Sequence, residues 1–289
     1  MIFNIKSKCL DKEVKIVKKK LLLMGDMVGN GNIALSVMIP ILTQMKYEIY
    51  NIPTSFISNN FNYGKFSILD TTKYLKETIE VWEKLDFKYD AIFVGYIASS
   101  EQANVIIDFC KKKAFENNII FIDPIMADNG TLYNGIGEDT VRNMKKLISV
   151  ADYIMPNYTE ASYLSGIKYE KDGLSIEDYH NMIDILREYG VKSVIITSAK
   201  VKGENNRCSI GYDIKENSYF KIDYDEINTI VYGTGDIFSS LFIGKMMSGE
   251  NMYNSTKYAM DTVREMIRLN IDDSDLHRGI PIEKILDLL

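Results

Sequence analysis

Short apolar runs alternate with longer amphipathic stretches over most of this chain, and this alternation limits the possible folds more than any other feature. From residue 20 to residue 197, each apolar run is typical of a buried strand. The stretches between them carry apolar residues at helical spacing. Alternating strands and helices form a mostly parallel sheet with helices on both faces. The sequence therefore predicts an α/β fold with a central, mostly parallel β-sheet.

The predicted strands cover residues 20–24, 48–52, 91–94, 119–122, 153–155 and 193–197. Helical patterns cover about residues 31–45, 71–86, 99–115, 137–149, 159–165 and 176–189. The pattern changes after residue 198, because the next apolar runs resemble the two strands of a hairpin, at 207–212 and 218–222. Further helices are predicted at about 234–249, 252–269 and 281–288. Ligands of open parallel sheets bind beyond the carboxyl ends of the strands, so function is expected in the loops that follow strands.

Length and composition favour a single domain. The chain has 289 residues, of which 46% are hydrophobic, enough for a large core. It contains no internal repeat, low-complexity tract or linker rich in glycine and proline. Residues 1–20 carry seven lysines against Asp11 and Glu13, and a solvated extension is favoured over an RNA or membrane contact. We predict a basic, poorly ordered extension at 1–19 and one domain at 20–289.

Charge, hydropathy and cysteine content exclude several classes of function. The formal net charge is −6, and because residues 1–20 carry +5, the rest of the chain carries −11, which does not suit a nucleic-acid-binding protein. No apolar stretch is long enough for a signal peptide or a membrane span. The three cysteines lack the paired spacing of a disulfide framework or a zinc site. We predict a cytoplasmic protein with no nucleic-acid or membrane partner.

The strongest local motif is Tyr232-Gly233-Thr234-Gly235-Asp236, which opens an apolar helix. Glycines let the backbone turn tightly, and the N–H groups at the helix start can then point at one phosphate. Asp236 beside such an anion hole could take the proton of a hydroxyl group that attacks the γ-phosphate of a nucleotide. Alternatively, Asp236 only caps the helix and the glycines are ordinary loop residues.

A second motif follows the predicted strand at 119–122, where residues 123–130 read DPIMADNG. Its two carboxylates, on Asp123 and Asp128, could hold Mg²⁺ through water and face nucleotide phosphates. Alternatively, the segment is a turn, because Asp-Pro and Asp-Asn-Gly are common in turns.

A third motif follows the next strand, where residues 155–160 read MPNYTE. Asn157 and Glu160 are three residues apart, so on a first helical turn they share a face and could order metal-bound water. Alternatively, this is a plain helix start at which Glu160 interacts with the helix dipole.

Together, in this order and each after a strand, the three motifs resemble those of the pyridoxamine/pyridoxal kinases of the ribokinase-like superfamily. The resemblance covers about residues 20 to 275 and includes DMVGNG at 26–31, GYIASSEQ at 95–102 and DNGTLY at 128–133. GTGD identifies only the superfamily, whereas the last two stretches favour the vitamin B6 branch. The resemblance implies a ribokinase-like fold, ATP as phosphate donor, Mg²⁺ and a homodimer. It leaves open whether a monovalent cation is also required.

Carried over residue by residue, the resemblance assigns the parts of phosphoryl transfer. Asp236 would be the catalytic base. The backbone amides of the anion hole would be those of Gly233, Thr234 and Gly235. The residues that serve Mg²⁺ and its waters would be Asp123, Asn157 and Glu160, with Asp123 and Glu160 as metal ligands, largely through water. The residues near the nucleotide phosphates would be Thr197 and Ser198.

The same resemblance implies where the substrate ring binds. It would lie near Asp26, Thr54 and Tyr96. Two residues would lie on the loop above it, Asp128 and Tyr133.

Three departures from the family pattern bear on the substrate. Related sequences usually carry a serine where this chain has Val28, and a glycine where it has Ala127. They also carry a loop resembling Ser/Thr-His-Thr-Gly-Gly where residues 58–63 read SNNFNY. The first and last changes lie on the expected substrate side, so the resemblance supports kinase chemistry more strongly than it supports a B6 substrate.

We therefore predict an ATP-dependent kinase that phosphorylates the 5′-hydroxyl of pyridoxal, pyridoxamine or pyridoxine in the salvage of pyridoxal 5′-phosphate. One alternative is a hydroxymethylpyrimidine kinase, which would use the same phosphoryl-transfer residues on a different ring. Another is a non-catalytic, ligand-binding relative, which the altered loop at 58–63 suggests.

Overall fold

The computed structural model describes residues 18–227, 229, 231–271, 278–284 and 286–289. Most of the predicted basic extension, residues 1–17, thus lies outside the described residues. The extension was predicted to end at Lys19, but the Nζ atom of Lys19 donates a hydrogen bond to the carbonyl of Met247 at 2.6 Å. Lys19 therefore already contacts the folded domain.

The strands are β1 (Lys20–Val28), β2 (Glu48–Ile57), β3 (Ile68–Asp70), β4 (Ala91–Val94), β5 (Ile119–Ile122), β6 (Ala127–Asp128), β7 (Thr131–Leu132), β8 (Tyr153–Ile154), β9 (Ser193–Lys200), β10 (Arg207–Asp213) and β11 (Ser218–Tyr224). The helices are α1 (Leu35–Gln44), α2 (Thr72–Lys84), α3 (Ser100–Ala114), α4 (Glu138–Leu147), α5 (Tyr158–Ser165), α6 (Ile176–Glu188), α7 (Thr234–Ser248) and α8 (Met252–Leu269).

One large sheet organises the fold. Its strand order is β11-β10-β9-β8-β5-β4-β1-β2-β3. The six strands from β9 to β2 are parallel to their neighbours. The predicted hairpin, β10 and β11, extends one edge with antiparallel strands, and β3 pairs antiparallel to β2 at the other edge. The predicted mostly parallel α/β sheet is confirmed.

Helices cover both faces of the sheet, as predicted. The alternation along β1 shows why: Leu22 and Met24 enter one core, whereas Leu21 and Leu23 enter the other. The first core receives buried side chains from α2 to α6. The second core receives them from α1, α7 and α8. Because α7 packs beneath the sheet in this second core, its first turn reaches the edge where the parallel strands end.

The structure differs from the sequence-based prediction in the lengths of several strands and in the last segment of the chain. β1, β2 and β9 continue past their predicted ends, and the short strands β3, β6 and β7 were not predicted. The predicted helix at 281–288 is wrong, because the described part of this segment forms two 3₁₀ turns, Ile282–Lys284 and Leu286–Leu288. Within the described ranges, no helix combines the length and apolar character that crossing a membrane requires.

Candidate active site

The carboxyl ends of the parallel strands bring the predicted motifs to one edge of the sheet. Asp26 lies near the end of β1, Tyr96 follows β4, and Asp123 follows β5. Asn157 follows β8. Parallel strands end on the same side, so residues distant in sequence meet here.

Two neighbouring pockets open at this edge, with Ile125 and Tyr133 in the walls of both. The larger pocket has a volume of about 330 Å³. The predicted site residues in its wall are Asp123, Tyr133, Asn157, Glu160, Thr197, Ser198, Thr234, Gly235 and Asp236. The smaller pocket has a volume of about 110 Å³. The predicted site residues in its wall are Asp26, Tyr96, Tyr133 and Gly233.

Asp236 lies on the first turn of α7, in the wall of the larger pocket, and contacts the segment before α1. Its Oδ2 atom accepts a hydrogen bond from the N–H of Ala34 at 2.8 Å. Burial raises the pKa of Asp236 to about 6, although the Ala34 donor acts in the opposite direction. At neutral pH this carboxylate is therefore largely ionised yet more basic than an ordinary aspartate, whose pKa is about 3.9.

The turn before α7 depends on Gly233. Its φ of 78° is left-handed, and a Cβ atom there would lie 2.7 Å from the carbonyl oxygen of Asn32. Only glycine meets both conditions without strain. Because glycine offers no side-chain cap, the N–H groups of the first turn of α7 are open to an anion at the pocket.

Asp123 is tied to α7 by a hydrogen bond. The hydroxyl of Ser239 donates to its Oδ2 atom at 2.8 Å, and both side chains are almost fully buried. Burial and the nearby Asp236 carboxylate raise the pKa of Asp123 to about 7, against the effect of the Ser239 donor. A cation at this point would offset the unfavourable burial of two neighbouring carboxylates.

Asn157 and Glu160 form a reciprocal cap at the start of α5. The Asn157 side chain accepts from the Glu160 N–H at 3.0 Å, and Glu160 Oε2 accepts from the Asn157 N–H at 2.9 Å. Glu160 Oε1 also accepts from the N–H of Met126 at 3.1 Å. Burial and Asp123 raise the pKa of Glu160 well above its ordinary value. Asn157 and Glu160 therefore do form a helix start, and the same two side chains also line the larger pocket.

The side chains in the larger pocket suit a hydrated Mg²⁺. In the part of the chain that the structure describes, no cluster of three or more His, Cys, Asp or Glu residues could hold a metal. Mg²⁺ is commonly held by one or two carboxylates and keeps several waters. Asp123 offers such a carboxylate, whereas both Glu160 oxygens already accept backbone N–H groups. The residues therefore fit Mg²⁺ bound largely through water.

Two predicted substrate residues lie elsewhere than expected. Thr54 is fully buried, and its hydroxyl donates to the carbonyl of Tyr96 at 2.6 Å. It therefore supports the backbone of Tyr96 and is not part of either pocket wall. Asp128 lies in a third pocket, of about 200 Å³, together with Ser198 and Arg207. Asp128 is thus on the side of the expected nucleotide residues, away from Asp26 and Tyr96.

Several residues in the walls were not predicted from the sequence. One side of the larger pocket is formed by α8, where Arg264 accompanies the apolar residues Met260, Val263 and Ile267. The helical spacing of these apolar residues indicated core packing only. Arg207, at the start of β10, lines the third pocket and pairs with Glu226 at 3.2 Å. The altered loop at 58–63 forms one wall of the smaller pocket with Asn59, Asn60 and Phe61.

Comparison with known proteins identifies the family. A family model described as phosphomethylpyrimidine kinase matches residues 42–280, most of the chain. The chain belongs to the phosphomethylpyrimidine kinase family. It is 31% identical to a pyridoxal kinase of Dictyostelium discoideum over 242 residues, which cover 79% of this chain and 78% of that protein. It is 28% identical to a hydroxymethylpyrimidine/phosphomethylpyrimidine kinase of Aquifex aeolicus over 228 residues, which cover 78% of each chain.

A solved structure supports the same assignment. A Bacteroides thetaiotaomicron protein, described as a candidate phosphomethylpyrimidine kinase and crystallised with pyridoxal, is 33% identical to this chain. The two structures superpose with a TM-score of 0.89 over 94% of this chain and 95% of that chain. The predicted resemblance to pyridoxal kinases and the ribokinase-like fold are confirmed. As a member of this kinase family, the chain is a phosphotransferase with an alcohol acceptor.

Proposed function

We propose that this kinase transfers the γ-phosphoryl group of ATP to the 5′-hydroxyl of a B6 vitamer, giving its 5′-phosphate and ADP. The observation that carries the proposal is the position of Asp236, in the wall of the larger pocket and three residues after Gly233, which lines the smaller one. A hydroxyl in the smaller pocket and a triphosphate in the larger pocket would meet at this carboxylate. The similarity to pyridoxal kinases supports the choice of acceptor.

One set of groups handles the proton of the acceptor hydroxyl, and another stabilises the negative charge on the transferred phosphoryl group. The carboxylate of Asp236 orients the acceptor hydroxyl and takes its proton as the new oxygen–phosphorus bond forms. The bond from the γ-phosphorus to the bridging oxygen of ADP breaks. The N–H groups at the start of α7, from Thr234 and Gly235, donate to the phosphoryl oxygens as charge develops.

The remaining residues of the larger pocket position the donor. Asp123 and Glu160 line the larger pocket and would hold Mg²⁺ through its waters, with Asn157 fixing Glu160 through their reciprocal cap. When bound, Mg²⁺ would neutralise charge on the phosphates. Thr197 and Ser198, on β9, line the same pocket and would lie beside the phosphates. Asp128 reaches the donor from the third pocket, and Tyr133 separates donor from acceptor.

The wider setting is also part of the proposal. One domain, residues 20–289, carries the activity, and two copies form a homodimer in the cytoplasm. The large sheet and its two cores run through nearly all of the described chain, which supports a single catalytic unit.

A substrate panel tests the function. Purified protein would be incubated with ATP and Mg²⁺ and with pyridoxal, pyridoxamine, pyridoxine, hydroxymethylpyrimidine or ribose, with ADP formation as the readout. We expect the B6 vitamers to give the highest kcat/KM. The second candidate, suggested by the similarity to the Aquifex aeolicus protein, predicts hydroxymethylpyrimidine instead. Binding without ADP formation would indicate a non-catalytic relative.

A further inference from the structure

Among the described residues that line the smaller pocket, Asp26 is the one with a charged side chain. This residue lies near the carboxyl end of β1, immediately after an irregularity in the pairing with β2 between Gly25 and Asp26. Its side chain is in the pocket wall, and the residue is only 8% exposed. Among the ion pairs of the described residues, none reaches its carboxylate. Asp26 thus presents a buried carboxylate to whatever occupies the pocket.

The other described residues in the wall of this pocket are neutral. Among them there is no lysine, arginine or histidine. The aliphatic and aromatic members are Val28, Ile33, Ile57, Ile125, Phe61, Tyr96, Tyr133 and Tyr232, and the amides are Asn59 and Asn60. The rings of Phe61 and Tyr96 lie 6.1 Å apart in an edge arrangement. Such walls suit the faces of a flat ring, and they leave Asp26 as the group that can recognise a positive substituent.

Ionisation of the Asp26 carboxylate is energetically unfavourable when no cation lies beside it. Burial, with a smaller effect of the Asp236 charge, raises the pKa of Asp26 to about 7. Burial, and to a smaller extent the negative charge of Asp26, raises the pKa of Tyr96 to about 12, so that the phenol stays neutral. A ligand cation beside Asp26 would remove this cost, whereas a neutral hydroxyl or aldehyde group would do so only in part.

We infer that Asp26 selects acceptors that carry a primary ammonium group on the ring, so that the amine vitamer pyridoxamine is preferred over the alcohol pyridoxine. This inference rests on the proposed function and refines its substrate class. Pyridoxine is the matched comparison, because a hydroxymethyl group of similar size replaces the aminomethyl group. A hydrogen bond to a charged partner corresponds to a preference of about 10- to 100-fold.

The test measures kcat/KM for pyridoxamine and for pyridoxine with saturating ATP and Mg²⁺ at about pH 8, where Asp26 is mostly ionised. The proteins are the wild type, Asp26→Asn, Asp26→Glu and, as a matched control, Asp108→Asn on the exposed face of α3. The readout is the ratio of the two kcat/KM values. A general loss of catalytic power cancels in this ratio, so a change in it reports recognition of the amine.

We expect the ratio to fall about 10- to 100-fold in Asp26→Asn, and to stay within about threefold of wild type in Asp26→Glu and Asp108→Asn. A ratio that is unchanged in Asp26→Asn overturns the inference, as does a wild type that phosphorylates both vitamers equally well. In contrast, a wild type that phosphorylates hydroxymethylpyrimidine but neither vitamer contradicts the proposed function itself.

Should Asp26→Asn fail to fold, calorimetric titration of the wild type decides the question. Pyridoxamine is then expected to bind about tenfold more tightly than pyridoxine, since one charged hydrogen bond distinguishes them. Equal dissociation constants would overturn the inference.

Discussion

At the scale of single residues, Asp236 combines two requirements of a base. Burial raises its pKa to about 6, and the N–H of Ala34 at 2.8 Å limits the rise. The carboxylate remains ionised at neutral pH but accepts a proton more readily than an exposed aspartate would. The hydrogen bond also directs the side chain toward the segment before α1, so Asp236 does not cap its own helix.

The first prediction concerns the Asp236→Asn variant. We expect kcat to fall about 100- to 10,000-fold, while the dissociation constant for ATP changes less than about threefold, because a base acts mainly in the transition state. Stopped assays of ADP formation and calorimetric titration with ATP measure the two effects. Asp108→Asn, on the surface of α3, is the control. Turnover close to wild type would show that Asp236 is not the base.

The second prediction concerns pH. Because the pKa of Asp236 is raised to about 6, the carboxyl is protonated and inactive below that pH. The value of kcat/KM for pyridoxine, whose recognition does not require the Asp26 charge, should therefore rise as the pH increases through about 6 and then level off. Rates measured from about pH 4.5 to pH 8 test this. A curve that is already level at pH 5 would mean that the base keeps its ordinary pKa.

At the scale of elements, the start of α7 contains two glycines with different surroundings. Gly233 has a φ of 78° and no room for a Cβ atom, because Asn32 and Ile33 lie 2.7 Å from that position. Gly235 has no heavy atom within 4 Å of its would-be Cβ atom and lies inside the helix. The first glycine is thus needed for the shape of the turn, whereas the second is not.

The third prediction follows from this difference. Gly233→Ala should lower the free energy of unfolding by about 1–3 kcal/mol through backbone strain and steric overlap. Gly235→Ala should leave it unchanged or raise it by up to about 1 kcal/mol, because alanine favours the helix. Urea unfolding of both variants provides the comparison. Equal losses of stability would contradict the geometry of this turn.

The fourth prediction concerns the apolar side of α8. Val263 lines the larger pocket but not the smaller one. In Val263→Asp, an unpaired carboxylate would face the bound nucleotide, so KM for ATP should rise about tenfold, with KM for the acceptor within about twofold. Steady-state kinetics with each substrate varied in turn measure this. The exposed change Asn254→Asp adds the same charge to the same helix as a control. A larger rise in KM for the acceptor than for ATP would indicate that the acceptor, and not the nucleotide, binds in the larger pocket.

At the scale of the whole molecule, one sheet joins the two pockets to both cores. β1 contributes Asp26 to the smaller pocket and is paired with both β2 and β4. α7 contributes Asp236 to the larger pocket and packs in the core beneath the same sheet. The donor and acceptor sides are therefore held by one rigid framework, which favours accurate alignment of the reacting groups.

The fifth prediction tests the extent of this framework. Removal of residues 1–17 should leave kcat/KM within about twofold and the melting temperature within about 2 °C of the full chain, because described residues from β1 onward supply a complete core and the walls of both pockets. Kinetics and calorimetry on both proteins measure this. The shortened chain keeps Lys19 and its contact with Met247. A loss of activity above about tenfold would assign a role in the site to the extension.

Much of the architecture could be predicted because its signals are local. The apolar alternation indicated the six central strands and the helices between them, and the motifs at Asp123 and Asn157 followed parallel strands as expected, whereas Asp236 lies on the first turn of α7. The shape of the pockets could not be predicted in this way. The apolar stripe of α8 looks the same whether it faces a core or a ligand, and only packing distinguishes them.

The sequence by itself determined the α/β class, the order of the elements and the family, because periodicity and motifs are properties of neighbouring residues. Only the tertiary structure decided that Thr54 supports Tyr96 from the interior and that Asp128 lines the same pocket as Arg207. It also brings Asp236 close enough to Asp26 for its charge to raise the pKa of Asp26. The physical reason is that burial and charge–charge interactions depend on distances in space, and these bring together residues that are far apart along the chain.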